Sequence, residues 1–220
     1  MRKSVVEAIE REKLIVIVRG VQKEKLLPLA QAMYKGGIRL LEVTYDARGQ
    51  MRDEETADCI RLLCAHFGES MFIGAGPVLR EEQVALTRQA GGRFIISPDA
   101  DAAVIRKTGE LDMVSMPGAM TPGEIRRAYD MGADFVKLFP CAQMGPAYVK
   151  AVRAPLSHIP LTAVGGIDET NMEAYLAAGV SGFGVGTNIV NKTLLEKEDY
   201  EGITALAGKY VEVIRKWQTT

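Results

Sequence analysis

The chain has 220 residues, of which 47% are hydrophobic and 25% are charged, and its formal net charge is -1. This composition is typical of a globular protein and offers no excess of basic residues that would favour binding to nucleic acid. No apolar run reaches the roughly 18 residues of a membrane-spanning helix. The segment from Ser4 to Glu12 is polar and acidic, unlike the apolar core of a signal peptide. We therefore expect no membrane partner and no nucleic-acid partner.

Cysteine and histidine usage argues against a disulfide framework and against a metal site. The cysteines are odd in number, and none of them has a metal-ligand spacing with a histidine. The residues concerned are Cys59, Cys64, Cys141, His66 and His158. A reduced, cytoplasmic setting is the resulting expectation.

Hydrophobic periodicity predicts a short N-terminal helix and then a regular alternation of strands and helices. Ser4 to Glu12 forms an amphipathic pattern behind a serine cap, and we expect this helix to lie outside the core. The following apolar runs are typical of strands buried on both faces, and each is followed by a helical pattern. The predicted strands are 14–18, 40–44, 71–74, 93–97, 113–116, 135–139, 161–164 and 182–186. The predicted helices are 23–35, 53–67, 81–90, 101–108, 122–131, 147–152, 171–178 and 200–217.

Strands that alternate with helices in this way, without a linker between them, indicate a (β/α)8 TIM barrel. The length fits the compact end of that fold, so residues 1–220 are predicted to form a single domain. A doubly wound open sheet is the alternative, but it usually has fewer strands, and no G-x-G-x-x-G turn follows the first strand. In a barrel, the active site lies at the carboxyl ends of the strands.

A lysine interrupts the apolar run of the predicted sixth strand, Phe135-Val136-Lys137-Leu138-Phe139-Pro140. A buried ammonium ion is costly, and one relief is loss of the proton, which produces an amine nucleophile able to form a Schiff base. The alternative is a lysine on an edge strand that points into water, since lysine is rarely buried without a partner.

A carboxylate in the predicted second strand is the best candidate to assist Lys137. Period-two alternation places Glu42 and Thr44 on one face of that strand, and both Glu42 and Lys137 reach the barrel mouth if their faces point inward. The amine would attack a ketone, the carboxylate would move protons, and the protonated imine would withdraw electrons from a breaking carbon–carbon bond. Because the imine replaces a metal ion as the electron sink, no metal is implied. A structural ion pair between Glu42 and Lys137 is the alternative.

Glycine turns and one arginine are candidates for binding the anionic groups of a substrate. Gly165-Gly166 and Gly186-Thr187 follow the last two strands and can bring backbone N–H groups close to a phosphate, although glycines also serve tight turns without a ligand. Thr187 to Val190 is a candidate for the short helix that completes a phosphate site in this fold. Arg19 follows the first strand and is suited to a substrate carboxylate, or to a salt bridge with Glu42 or Asp46.

Together these residues resemble the class I 2-keto-3-deoxy-6-phosphogluconate and 4-hydroxy-2-oxoglutarate (KDPG/KHG) aldolase family over Ile15 to about Val190. The motifs that carry the resemblance occur in order and with family-like spacing. They are Val18-Arg19-Gly20, Leu41-Glu42-Val43-Thr44, Ile73-Gly74-Ala75-Gly76, Ile96-Ser97-Pro98, Met116-Pro117-Gly118, Val136-Lys137-Leu138-Phe139-Pro140, Val164-Gly165-Gly166 and Gly184-Val185-Gly186-Thr187.

The resemblance implies a homotrimer of barrels in which Lys137 forms a Schiff base with pyruvate and Glu42 is the general acid/base. It implies phosphate binding by the two glycine turns and no cofactor besides the covalent lysine imine. The expected small-molecule partners are a keto acid and an aldehyde, in phosphorylated form. Substrate contacts are also expected from Thr44, Gly74, Gly76 and Pro98.

Three positions depart from the family pattern. Asp46 stands where members often place an arginine for the pyruvate carboxylate, and Pro77 stands where they usually have a threonine. Val164 replaces the threonine of Pro-Thr-Gly-Gly, a form that is more similar to the phosphogalactonate branch. An aspartate at position 46 would repel an α-keto acid unless it is turned away or paired, for instance with Arg48.

Our leading hypothesis is that Arg19 and backbone N–H groups of the Gly74 to Gly76 loop bind the carboxylate, in an aldolase of altered specificity. One alternative is an imine-forming enzyme whose carbonyl substrate has no carboxylate beside the ketone. Another is a phospho-sugar-binding barrel without turnover. Phosphate-binding barrels such as epimerases or indole-forming synthases would not require this lysine together with this glutamate.

Overall fold

Short parallel strands alternate with helices along residues 2–219, the part of the chain that this computed structural model describes. The strands are β1 (Leu14–Val18), β2 (Leu40–Thr44), β3 (Phe72–Gly76), β4 (Phe94–Ile96), β5 (Val114–Met116), β6 (Gly118–Ala119), β7 (Val136–Leu138), β8 (Leu161–Val164) and β9 (Gly182–Val185). The helices are α1 (Arg2–Glu12), α2 (Lys23–Lys35), α3 (Asp53–Phe67), α4 (Glu81–Gln89), α5 (Ala102–Glu110), α6 (Pro122–Asp130), α7 (Gly145–Arg153), α8 (Met172–Ala177), α9 (Lys192–Glu196) and α10 (Tyr200–Gln218).

The sheet closes on itself through a strand that is interrupted by proline. The strand order is β5-β4-β3-β2-β1-β9-β8-β7-β6, and β5 and β6 are separated only by Pro117. The Pro117 carbonyl accepts a hydrogen bond from the N–H of Lys137 at 2.8 Å, and the carbonyl of Met116 accepts one from Ser97 at 3.2 Å. Proline has no N–H for the ladder, which explains the break. The two segments therefore form one interrupted strand, of which the predicted fifth strand, 113–116, covers only β5. The predicted (β/α)8 barrel is confirmed.

The N-terminal helix α1 closes the bottom of the barrel, so the expectation that it lies outside the core was wrong. Val5, Ala8 and Ile9 are each 1% exposed and pack in one cluster with the first residues of several strands. Those strand residues are Ile15, Leu40, Phe94, Val114 and Phe135. The predicted amphipathic pattern is confirmed. The apolar face of the helix covers the barrel interior at the N-terminal ends of the strands, where the interior side chains would otherwise be exposed to water. An ion pair between Arg2 and Asp134 at 2.8 Å fastens the helix in place.

Side chains on the opposite face of each strand form a second core against the surrounding helices. Leu41 and Val43 of β2 belong to this outer core, whereas Leu40 belongs to the inner one. The alternation follows the period of two along a strand. It leaves Glu42 on the inner face, above the apolar floor. Within residues 2–219 no helix has both the length and the apolar character that a membrane crossing requires.

Candidate active site

A cavity of about 490 Å³ opens at the carboxyl ends of the strands. Its lining includes eight of the eleven residues for which the sequence predicted catalysis or substrate contact: Arg19, Glu42, Pro98, Lys137, Gly165, Gly166, Gly186 and Thr187. The only charged side chains in this lining are Arg19, Glu42 and Lys137. The cavity therefore combines two basic side chains and one acidic side chain with a largely apolar wall.

Lys137 lies on β7 at the base of the cavity and is 8% exposed. Burial lowers the pKa of its ammonium group; the nearby Glu42 opposes this shift and Arg19 reinforces it. Its Nζ lies 4.7 Å from the centre of the Phe139 ring, which forms part of the same wall. The alternative, a lysine on an edge strand that points into water, is therefore wrong. The side chain is partly shielded from water, and in such a setting an ammonium group loses its proton more readily.

Glu42 lies on β2 and is 3% exposed, and burial raises its pKa to about 7. Lys137 and Arg19 lower the pKa but do not outweigh the loss of water. Among the described residues no N–O contact of 4.0 Å or less joins Glu42 to Lys137, and Oε2 of Glu42 has no hydrogen-bond partner. The two groups are thus close enough to shift each other's pKa without forming the structural ion pair that was the alternative.

Glycines on β3 make room for the interior side chains. A Cβ added to Gly76 would lie 2.4 Å from Oε1 of Glu42, so only glycine leaves space for this carboxylate. A Cβ on Gly74 would lie 2.2 Å from the Phe94 ring. The predicted loop of Gly74 to Gly76 is in fact part of β3, whose backbone pairs with β2 and β4. Gly74, Gly76 and the buried Thr44 do not line the cavity, and the proposed N–H donors for a carboxylate belong to a strand ladder.

Asp46 turns its carboxylate into its own loop. Its oxygens accept hydrogen bonds from the backbone N–H groups of Arg48 at 2.9 Å, Gln50 at 2.6 Å and Met51 at 2.9 Å, and these bonds lower its pKa. The cavity wall nearby is formed by Ala47. The partner of Asp46 is therefore backbone, not the Arg48 side chain, and its negative charge is fixed away from the lining. Arg19 forms no ion pair with Glu42 or Asp46 in the described chain, which leaves its guanidinium available to a ligand.

The turns after β8 and β9 form the wall at one side of the mouth. Gly165 and Gly166 have φ values of +93° and +75°, a conformation that L side chains rarely adopt. No hydrogen bond within residues 2–219 uses the backbone N–H of Gly166, Thr187 or Asn188, so these donors are free for an anion. The predicted helix at 187–190 is instead a turn in which the Gly186 carbonyl accepts bonds from residues 189 and 190, and the next helix is α9.

Several lining residues were not singled out from the sequence as site residues. Phe139 was signalled by its alternation with Lys137, and Ile17 by its alternation with Arg19, because both pairs share a strand face. Leu79 lies in a loop and had no such signal, whereas Asn188 falls in the segment Thr187 to Val190 that was a candidate for the phosphate site. The Nδ2 of Asn188 donates to the Ile167 carbonyl at 3.1 Å and so ties the two turns together. In the described chain no three His, Cys, Asp or Glu side chains are grouped as a metal site requires.

Comparison with known proteins places this site in a family. The family model described as KDPG and KHG aldolase matches residues 5–206. The chain belongs to the KDPG and KHG aldolase family. A probable 2-dehydro-3-deoxy-6-phosphogalactonate aldolase of Rhizobium meliloti is 36% identical over 177 residues, which are 80% of this chain and 81% of that protein. The resemblance read from the motifs is thereby confirmed, and the family's members are carbon–carbon lyases.

Solved structures of KDPG-type aldolases share the fold. One described as native KDPGal has a TM-score of 0.84 at 29% identity and covers 94% of this chain and 96% of its own. A KDPG aldolase from Legionella pneumophila has a TM-score of 0.81 at 30% identity, with 92% and 96% covered. That enzyme was captured with pyruvate at low pH as a covalent carbinolamine intermediate.

The buried carboxylate of Glu42 makes stability depend on pH in a predictable direction. Its pKa is about 7 in the folded protein and near the ordinary value of 4.5 in the unfolded chain. As pH rises between these values, the unfolded chain releases the proton first, so the contribution of Glu42 to stability falls and is lowest above pH 7. We expect Glu42→Gln to remove this loss, so that its stability relative to wild type increases by on the order of 2–3 kcal/mol between pH 5 and pH 8.

Urea unfolding at both pH values measures this difference. The matched control is Glu10→Gln on α1, where the side chain is exposed. Its relative stability should be the same at pH 5 and pH 8. Equal values for Glu42→Gln at the two pH values would contradict the burial of an ionisable carboxylate.

Proposed function

We propose that the protein is a class I aldolase that interconverts a 2-keto-3-deoxy-6-phospho sugar acid, or a related 4-hydroxy-2-oxo acid, with pyruvate and an aldehyde. The observation that carries this proposal is Lys137, a buried lysine at the base of a cavity with Glu42 beside it and with no ion-pair partner among the described residues. Family membership supports the same reaction class.

Lys137 is the nucleophile. Its neutral amine adds to the ketone of the substrate to form a carbinolamine, and loss of water yields a protonated imine. Removal of the proton from the C4 hydroxyl lets the C3–C4 bond break, the aldehyde departs, and the bonding electrons enter the imine to form an enamine. Protonation at C3 and addition of water then release pyruvate and restore the amine. The imine is the electron sink, so the reaction needs no other cofactor.

Glu42 moves the protons in both directions. It must be protonated to assist loss of water from the carbinolamine and ionised to remove the hydroxyl proton. A pKa of about 7 allows both states near neutral pH. Its position beside Gly76, with no ion pair to Lys137, leaves the carboxylate free to change state during turnover.

Arg19 binds the keto-acid carboxylate, and the turns after β8 and β9 bind the phosphate. Besides Lys137, Arg19 is the only cation in the cavity lining of the described chain, and it has no carboxylate partner there. The free N–H groups of Gly166, Thr187 and Asn188 suit a phosphate at the turns after β8 and β9, the second of which lies beside β1 in the sheet. Gly165 and Gly186 shape these turns, and Pro98 forms part of the opposite wall.

The phosphogalactonate acid is the preferred substrate. Val164 presents an apolar side chain to the cavity where many family members have a threonine hydroxyl. The Rhizobium meliloti relative, with 36% identity, is named as a phosphogalactonate aldolase. The experiments below distinguish this proposal from its two alternatives. These are a carbonyl substrate without a carboxylate and a barrel without turnover.

The active form is a cytoplasmic homotrimer. Both statements follow the family resemblance. Large apolar side chains are exposed at and near the mouth, namely Leu79, Met131, Phe139 and Met144. Exposed apolar surface of this kind is typical of contacts between subunits.

Borohydride reduction in the presence of pyruvate tests the imine. We expect the intact mass to increase by one reduced pyruvyl group, and peptide mapping to locate it at Lys137, because a lysine with a lowered pKa supplies the free amine. Lys137→Ala should give no adduct, whereas Lys35→Ala, at an exposed position on α2, should react like wild type. No adduct in the wild type would favour a different carbonyl substrate or a barrel without turnover.

Substitution of Arg19 tests the carboxylate site. We expect Arg19→Ala to raise the KM for the keto acid by about tenfold or more, the effect of losing a charge-assisted hydrogen bond. The kcat should change much less, because the carboxylate carries the same charge in the ground state and the transition state. Steady-state kinetics with Arg48→Ala as the control measures this, since Arg48 does not line the cavity. An unchanged KM would show that Arg19 does not bind the keto-acid carboxylate.

A pair of epimeric substrates tests the specificity. The phosphogalactonate and phosphogluconate acids differ in the configuration of the C4 hydroxyl, and Val164 cannot donate a hydrogen bond to it. We expect kcat/KM to favour the phosphogalactonate acid by about tenfold or more. Equal values, or a preference for the gluconate epimer, would contradict the assignment to the galactonate branch.

A further inference from the structure

A small pit lies in the barrel interior beside the lysine. It has a volume of about 10 Å³ and shares Glu42, Lys137, Val164 and Gly184 with the lining of the large cavity. Three of the residues around it carry polar side chains, Glu42, Lys137 and Thr162, and the remainder are apolar or glycine. A void of about this size accepts one water molecule when two or more polar groups can bind it.

Thr162 is the residue in this pit to which the reaction assigns no role. It lies on β8 directly opposite Lys137 in the strand ladder and is 1% exposed. Its neighbours Leu161 and Ala163 face the outer core, so alternation turns Thr162 toward the interior. A buried interior position at this level is normally apolar or paired, because an unpaired buried hydroxyl is costly.

Two buried polar atoms at this pit have no hydrogen-bond partner in the described chain. They are Oγ1 of Thr162 and Oε2 of Glu42. Both residues line the same void, and no direct hydrogen bond joins the two oxygens. Buried polar groups in proteins are nearly always satisfied by protein or by ordered water, so two unpaired oxygens around one void of this size share a common explanation.

We propose that this pit binds a single ordered water molecule that joins the Thr162 hydroxyl to the Glu42 carboxylate, and that Thr162 thereby acts as a positioning residue. The water donates one hydrogen bond to Oε2 of Glu42 and forms a second hydrogen bond with the Thr162 hydroxyl. The carboxylate is then held from below, while its other oxygen remains at the cavity. The functional consequence rests on the aldolase reaction proposed above, but the water site itself does not.

Loss of this water has a definite electrostatic consequence. A hydrogen bond donated to a carboxylate favours its ionised form, so removing the donor raises the pKa of Glu42 further above its ordinary range. The charged groups that face Glu42 are Lys137 on β7 and Arg19 after β1. The other elements packed around it present uncharged residues: Ile15, Gly76, Ile96, Met116, Thr162 and Gly184. No further charge at this level would mask the change.

A crystal structure of the wild-type protein at high resolution tests the water site directly. We expect one water in the pit, at about 2.7–3.2 Å from Oγ1 of Thr162 and from Oε2 of Glu42. A pit without a water, or a direct hydrogen bond between Thr162 and Glu42, would overturn the proposal. This measurement needs no substrate, so it stands even if the proposed aldolase reaction is absent.

The pH profile of kcat tests the positioning role. Thr162→Val removes the hydroxyl and should move the acid limb of the profile up by about one pH unit, with the KM for substrate within about twofold of wild type. Thr162→Ser retains a hydroxyl and should restore the wild-type limb. The matched control is Thr56→Val on α3, which removes another buried hydroxyl that has no partner in the described chain and does not line the cavity or the pit. Its profile should match that of wild type.

The outcomes separate the two proposals. A Thr162→Val profile that superimposes on that of an active wild type overturns the positioning role and leaves the aldolase function intact. A wild type without turnover or imine formation overturns the aldolase function, and the crystallographic result then decides the water site alone. A shift that occurs equally in Thr56→Val reflects general loosening of the fold and also overturns the positioning role.

Discussion

The structure depends on keeping two ionisable groups inside a barrel where water is scarce. Burial opposes charge on both, and it shifts the pKa of Glu42 upward and that of Lys137 downward, toward each other. Charged side chains are rarely buried at this cost unless they are paired or serve a function. Here the described chain contains no direct ion pair between them, so their mutual attraction only partly offsets the lost hydration. The barrel thus favours the uncharged form of both groups more than water would, at the expense of stability.

The apolar parts of the barrel are arranged to preserve this setting. Helix α1 seals the floor, and the layer containing Phe94 and Phe135 lies between that floor and the ionisable pair. Glycines supply the remaining space: Gly76 makes room for the Glu42 carboxylate, and a Cβ on Gly184 would lie 2.8 Å from the Val164 side chain. Dense packing of this kind transmits any change in volume to its neighbours. The interior therefore tolerates little variation at the level of the reactive groups.

Sequence patterns were sufficient to predict the fold and to group Glu42 with Lys137, because both depend on periodicity. Strand–helix alternation predicted the barrel, and the period of two put both side chains at one cavity on the condition, which the structure meets, that their strand faces point inward. Periodicity did not reveal which surface the apolar face of α1 covers. A helix that closes the bottom of a barrel and a helix that packs on its outside have the same amphipathic pattern. Periodicity also could not show that Gly74 is a glycine because it makes space for the Phe94 ring and not because it contacts a ligand. The orientation of Asp46 depends on three backbone hydrogen bonds within one loop, for which the sequence contains no periodic signal.

The departures from the family pattern lie in the cavity wall or in the loop next to it. Asp46 replaces a cation, yet its carboxylate is bound by its own loop and adds no charge to the cavity wall. Pro77 and Val164 replace hydroxyl groups with apolar surface in the same wall. None of these changes alters the pair of Glu42 and Lys137 at the base of the cavity. Because Arg19 is the one other charged side chain in the cavity lining of the described chain, a negatively charged ligand that reaches Lys137 meets no acidic side chain in that wall except Glu42 itself.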